Sequence, residues 1–146
     1  MATSTCDRLR AGVQTASAEE TRALAAAFAA ELPADATVAL HGDLGAGKTT
    51  FVQGLAAGFG VEGPVTSPTY TIYSLHPGSR RMLAHLDAYR IGSPEEAEDL
   101  LLHEFLESPW CLAAEWPERL GGWLAPDAWH LEFSIGADGR HLITLR

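Results

Sequence analysis

Hydrophobic positions along the 146-residue chain switch repeatedly between two periods. Apolar residues three and four apart mark helices, while alternation or short apolar runs mark strands. Ser17 with Glu20 three residues later forms a capping box. The helix it opens runs to about Leu32, with Leu24, Phe28 and Leu32 on one face, and Pro33 ends it. Val38-Ala39-Leu40-His41 is a short apolar run that predicts a buried strand. Phe51, Val52, Leu55, Ala56 and Phe59 return to helical spacing, and Gly58 or Gly60 offers a left-handed cap. A turn around Pro68 leads to a strand over Tyr70 to Leu75, rich in branched and aromatic residues. His76-Pro77-Gly78-Ser79 turns the chain into a second strand from Met82 to Asp87. Ser93-Pro94-Glu95-Glu96 is another capping box with proline at the first helical position. It predicts a helix with Ala97, Leu100, Leu101 and Phe105 as its buried stripe, closed by Ser108-Pro109. Trp110 to Ala114 reads as an apolar strand ending in Glu115, and Pro117 opens a short helix with Leu120, Trp123 and Leu124 on one side. Trp129, Leu131, Phe133 and Ile135 alternate with polar residues, so this strand is half buried. Gly136 to Gly139 turns it into an antiparallel partner over Arg140 to Leu145.

These elements predict an α/β domain: a small sheet flanked by helices, with a C-terminal antiparallel hairpin. The length fits one domain over 13–146. Residues 1–12 carry neither period and read as a flexible leader. Ten basic against nineteen acidic residues give a net charge of −9. That disfavours a broad nucleic-acid footprint, which wants a basic face, and leaves room for docking to a basic partner. Two cysteines, Cys6 and Cys111, make no disulfide framework and suit a reduced, cytoplasmic setting. No apolar run approaches the roughly 18 residues of a membrane span, and no secretory signal core opens the chain.

The chemistry enters at Gly42-Asp43-Leu44-Gly45-Ala46-Gly47-Lys48-Thr49. A glycine, four residues and then Gly-Lys-Ser/Thr is the phosphate-binding loop pattern. Glycines let backbone N–H groups close around a polyphosphate, the lysine reaches the outer phosphates, and the threonine hydroxyl can ligate Mg²⁺. The predicted strand before it and helix after it supply the required context, because a helix N-terminus favours an anion. The fold class sharpens to a small P-loop NTPase-like sheet. Lys48 is the only lysine in the chain; arginine serves everywhere else, and a compact ammonium stands where the phosphates are expected.

A phosphate loop names a ligand class, not a reaction. Hydrolysis needs an acid near Mg²⁺, usually at the end of an apolar strand. Glu115 and Asp87 both end such strands, and both also read as strand-end carboxylates facing water. Thr66, Ser67 and Thr69 are either a switch segment sensing the terminal phosphate or a polar turn around a proline. His85 reads as a core histidine, Arg90 as a solvated side chain, and the four tryptophans as packing. The histidines and cysteines lack zinc spacing. The chain contains no asparagine and no Asp-x-x-Gly, so the guanine-reading set of a small GTPase is absent, and so are the transporter and protein-kinase signatures.

Four segments in order, Gly42 to Thr50, Ser67-Pro68-Thr69-Tyr70, His85-Leu86-Asp87-Ala88-Tyr89-Arg90 and Glu115-Trp116-Pro117-Glu118, resemble the TsaE (YjeE) family over roughly residues 14 to 135. The resemblance implies an ATP/Mg²⁺ site in a partner-dependent ATP hydrolase of tRNA threonylcarbamoyladenosine synthesis. Asp43, Leu44, Gly45, Ala46, Gly47, Lys48, Thr49 and Thr50 would hold nucleotide, with Thr69 in the switch. Thr49 and Glu115 would serve Mg²⁺, while Asp87, Glu115 and Lys48 would act in catalysis. It implies TsaD-like and TsaB-like partners, and contact with tRNA only through that complex, which modifies adenosine 37. A small-molecule kinase and a nucleotide-binding adaptor without turnover are the competing functions. A kinase wants a lid with arginines, and only Arg80-Arg81 hints at one.

Overall fold

The strand leading into the glycine-rich loop is buried from Ala36 to Leu40, as the centre of a sheet must be. The structure, a computed structural model, describes residues 3–43, 45–66 and 72–146. In chain order the elements are α1 (Thr5–Ala11), β1 (Val13–Thr15), α2 (Ala18–Ala29), β2 (Ala36–His41), α3 (Lys48–Gly58), β3 (Tyr73–His76), β4 (Met82–Asp87), α4 (Pro94–Asp99), β5 (Trp110–Glu115), β6 (Trp129–Ile135) and β7 (His141–Leu145). One sheet of seven strands runs β1-β7-β6-β2-β5-β4-β3. β2 is parallel to β5 and β6, and β5 is parallel to β4. The remaining pairs, β3–β4, β6–β7 and β1–β7, are antiparallel.

Period-two alternation divides the core between the sheet faces. Val38, Leu40, Leu83, Cys111, Ala113, Leu131 and Phe133 pack with α2 and α3. Ala84, Leu86, Leu112 and Ala114 form the second cluster with Ile91, Ala97, Leu102 and Leu120. Phe51 of α3 joins the first through Phe28 of α2, with ring centroids 5.9 Å apart. The α2–α3 seam is close because Gly54 faces α2: a Cβ there would lie 2.6 Å from Ala25 Cβ and would also strike the Arg22 carbonyl. Both predicted caps form, Ser17 Oγ accepting from Glu20 N and Ser93 Oγ from Glu96 N.

Several expectations are corrected. Within the supposed leader, Thr5–Ala11 is helical: Ser4 caps it, Leu9 is fully buried, and the Glu31 carboxylate accepts from Thr5 N (2.7 Å) and Cys6 N (3.1 Å). A seven-residue helix with so small a buried face shows too few turns to register as a period. The stripe predicted to reach Phe105 breaks, because α4 ends at Asp99 and Leu101 turns left-handed at φ 54°. Leu101 and Phe105 are consequently 52% and 50% exposed, and Leu102 is buried in their place. Two short 3₁₀ turns, Pro117–Arg119 and Gly121–Trp123, replace the single helix expected after Pro117. Ile135 is exposed where the hairpin runs past the core. β3 begins at Tyr73; the turn around Pro68, with Ser67, Thr69 and Tyr70, lies outside the described residues.

Candidate functional site

The parallel register brings the separate motifs together. β5 lies between β2 and β4, Leu40 pairs with Glu115, and Asp87 pairs with Glu115. The loop after β2 and both candidate acids therefore share the carboxyl edge of three adjacent strands, where open α/β sheets bind ligands. A cleft of about 450 Å³ opens there. It is lined by Gly45, Gly47, Lys48, Thr49 and Thr50 of the loop and the start of α3, together with Asp87, Glu115, Trp116 and His141.

Sterics explain the loop's glycines. A Cβ on Gly42 would sit 2.6 Å from the Phe133 carbonyl oxygen, so the chain passes β6 only without a side chain. Gly47 holds φ 104° as the residue capping α3, and no side chain bonds the first turn. The N–H groups of that turn lack intrahelical partners and carry the positive end of the helix dipole. A helix end of this kind favours an anion. Ala46 N donates to the Asp43 carbonyl at 3.1 Å and tightens the loop. Asp43 itself is exposed, Ala46 is buried behind the loop, and Leu44 lies outside the described residues.

Lys48 is only 5% exposed. Its Nζ donates to the Gly42 carbonyl and sits 4.6 Å from the centroid of the Trp116 ring. Trp116 adopts the left-handed conformation at φ 56° directly before Pro117. Such backbone costs on the order of 1–3 kcal/mol in a non-glycine residue and tends to persist at functional sites. Here it turns the indole over the ammonium and against Tyr89, with ring centroids 5.2 Å apart.

Glu115 is 6% exposed, and its Oε2 accepts from Nε2 of the fully buried His85 at 2.6 Å. Asp87 is less buried, and its Oδ1 accepts from Tyr89 N at 3.0 Å, capping a 3₁₀ turn. His141 donates from Nδ1 to the Ala46 carbonyl at 2.8 Å, and a Cβ on Gly47 would lie 3.1 Å from the same ring atom. The hairpin thus buttresses the loop from β7. His41, the last residue of β2, pairs its Nε2 with His130 Nδ1 at 2.8 Å. Burial, then the charges of Arg146 and His130, hold the His41 pKa below the ordinary imidazole value.

No cluster of three or more His, Cys, Asp or Glu side chains poised for a metal occurs among the described residues. Mg²⁺ does not need one. It retains waters and takes one or two protein oxygens together with substrate phosphates, and a Thr49 hydroxyl with one strand-end carboxylate is a donor set of that kind. Arg80 and Arg81 do not form a lid. Arg80 donates to Gly58 O at 3.2 Å, while Arg81 donates to the carbonyls of Leu32, Pro33 and Trp110 and packs over Phe59.

Sequence reasoning missed three contributors. Trp116 reads as packing, yet it lines the cleft. His85 is buried as expected, but it is tied to Glu115. His141 gives no local signal, because its contact with Ala46 spans 95 positions.

Comparison with known proteins agrees with this geometry. The family profile described as "Threonylcarbamoyl adenosine biosynthesis protein TsaE" matches residues 15–142. The tRNA threonylcarbamoyladenosine biosynthesis protein TsaE of Treponema pallidum is 38% identical over 108 residues, covering 74% of this chain and 79% of its own. The protein of the same name from Bacillus subtilis is 35% identical over 131 residues, covering 90% and 82%. Three further curated relatives align over 57% to 61% of their own length. The crystal structure of YdiB from Bacillus subtilis superposes with a TM-score of 0.71 at 30% identity, over 92% of this chain and 82% of that one.

Proposed function

We propose, from the premise that the chain belongs to the TsaE family of tRNA threonylcarbamoyladenosine biosynthesis proteins, that it is a cytoplasmic Mg-ATPase acting with TsaD-like and TsaB-like partners. In this reading it supports threonylcarbamoyl transfer to adenosine 37 and meets tRNA only through the complex. One observation carries the reading: the phosphate-type loop, Lys48 and two carboxylates meet at one edge of the sheet, around one cleft.

The N–H groups of the first α3 turn and the Lys48 ammonium hold the outer phosphates of ATP. Lys48 is aimed before it binds, since the Gly42 carbonyl and the Trp116 ring fix its position. Thr49 and Glu115 take Mg²⁺, which when bound neutralises charge developing on the phosphoryl oxygens. Asp87 orders the attacking water, its carboxylate held by Tyr89 N–H. No arginine is among the described residues that line the cleft, and Arg80 and Arg81 bond backbone elsewhere. Hydrolysis then depends on a group from the partners, which is why turnover is coupled to the complex. The segment around Thr69, outside the described residues, would serve as the switch that senses the γ-phosphate.

The test is phosphate release by the protein alone and with its TsaD–TsaB assembly and tRNA. The expected outcome is stimulation by the assembly. Glu115→Gln and Asp87→Asn each lower the stimulated rate more than tenfold, equivalent to at least ~1.4 kcal/mol of transition-state stabilisation. Near-wild-type hydrolysis in either variant removes that residue from the mechanism. A phosphorylated small molecule in place of free phosphate would make the protein a kinase.

A further inference from the structure

His85 is an expensive residue for a core position. It is completely buried on β4, on the sheet face that also carries Leu83 of β4 and Ala113 of β5 in the first apolar cluster. Its Nε2 is committed to Glu115 Oε2 at 2.6 Å. Its Nδ1 is buried and has no hydrogen-bond partner among the described residues. Ser74, the cross-strand neighbour on β3, pairs its hydroxyl with His76 Nε2 instead, at 3.0 Å. A buried polar atom without a partner is rare and calls for an explanation. Core packing alone would be met by a leucine, with no orphaned nitrogen. The half of the ring that is satisfied serves only Glu115, and Glu115 is the acid whose register places it opposite Asp87 at the mouth of the cleft.

From this geometry we infer that His85 is a positioning residue: it holds the Glu115 carboxylate from beneath, in the one orientation that presents its other oxygen to the metal of the nucleotide complex. The inference rests on the reading of Glu115 as an Mg²⁺-associated acid. A glutamate side chain rotates about three bonds, so its carboxylate has many orientations open to it at a strand end. Fixing one oxygen against a rigid neighbouring strand removes that freedom before the ion arrives. Partners that orient a metal-binding group commonly change metal affinity by tenfold or more when they are lost. His85 touches neither nucleotide nor metal in this account, so its loss acts through Glu115 alone.

The experiment measures Mn²⁺ affinity of the ADP-loaded protein from the loss of the free Mn²⁺ resonance, alongside ADP affinity in chelator. His85→Gln carries an amide nitrogen to the place of Nε2, whereas the His85→Asn amide stops short at the place of Nδ1. The expected result is a roughly tenfold loss of Mn²⁺ affinity for His85→Asn and recovery to within about threefold of wild type for His85→Gln. ADP affinity without metal stays within about twofold throughout, since the loop is untouched. Equal Mn²⁺ affinities for the Asn and Gln variants would overturn the role of His85, and so would a loss of metal-free ADP binding that matches the loss for Mn²⁺. Glu115→Gln separates the two claims. If it weakens Mn²⁺ while the His85 variants do not, the inference alone is wrong. If it binds Mn²⁺ like wild type, the metal reading of Glu115 falls and this inference with it. A further readout needs no variant at position 85: the His85 Nε2 nitrogen resonance shifts when Mg²⁺ is added to the ADP complex of wild type, and stays in place in Glu115→Gln. No shift in wild type, or the same shift in both proteins, would overturn the proposal.

Discussion

His41 ends β2 one residue before the loop, and its environment disfavours the charged ring. Burial is the largest cause, followed by Arg146 and His130, while Glu118 and Glu132 act in the opposite sense. The folded pKa lies below the ordinary 6.5, so the unfolded chain takes up this proton first as pH falls. The contribution of His41 to stability is therefore present above 6.5 and lost as pH drops towards the lower folded value. Thermal stability should fall from about pH 7 to about pH 5, and His41→Gln should flatten that fall. An unchanged slope in the variant would assign the acid sensitivity to other groups. At this scale the sequence is only partly legible. Lys48, Glu115 and Asp87 stand out through motif and strand end, and each lines the cleft. Trp116, His85 and His141 matter through contacts that join distant positions, which no local pattern encodes.

At the scale of elements, local signals succeeded where one cap and one period agree. Ser17 and Ser93 start their helices as their boxes require, and β4 and β5 end on Asp87 and Glu115. The failures have tertiary causes. Leu101 and Phe105 continue a helical spacing that the chain abandons at Asp99, and α1 is held by Glu31 from the turn after α2. The α2–α3 seam gives a direct test of packing. Ala is favoured over Gly inside a helix by about 1 kcal/mol, so Gly54→Ala stabilises α3 in isolation. In the protein its Cβ would meet the Arg22 backbone and Ala25, neither of which yields without moving α2. Overpacking of this kind costs typically about 1–3 kcal/mol, and the rigid contact decides the sign. Denaturant unfolding should show a net loss of stability. A stabilised variant would mean the helices part more easily than the contacts imply.

For the whole molecule, the fold class was readable because a strand–loop–helix and two acid-ending strands leave few ways to arrange a parallel sheet. The order β2-β5-β4, which sets Glu115 beside both the loop strand and Asp87, comes from long-range pairing. The net charge of −9 bears on association. Docking of this acidic surface to a basic partner should weaken as salt rises, because steering between opposite charges is screened. Affinity for the TsaD–TsaB assembly should also differ between ADP and a non-hydrolysable ATP analogue, since a nucleotide shifts docking only through differential affinity for two states of the protein. Salt-independent, nucleotide-independent binding would remove both the electrostatic and the switch accounts.

In the proposed function, the cleft at the carboxyl ends of β2, β4 and β5 binds Mg-ATP through the loop and Lys48. Calorimetric titration of Mg-ATP into the wild-type protein and into Lys48→Ala measures this, with circular dichroism confirming that the variant stays folded. Wild type should show saturable one-site binding, and the variant a loss of at least about tenfold, or ~1.4 kcal/mol. Equal affinity in the two folded proteins would contradict it.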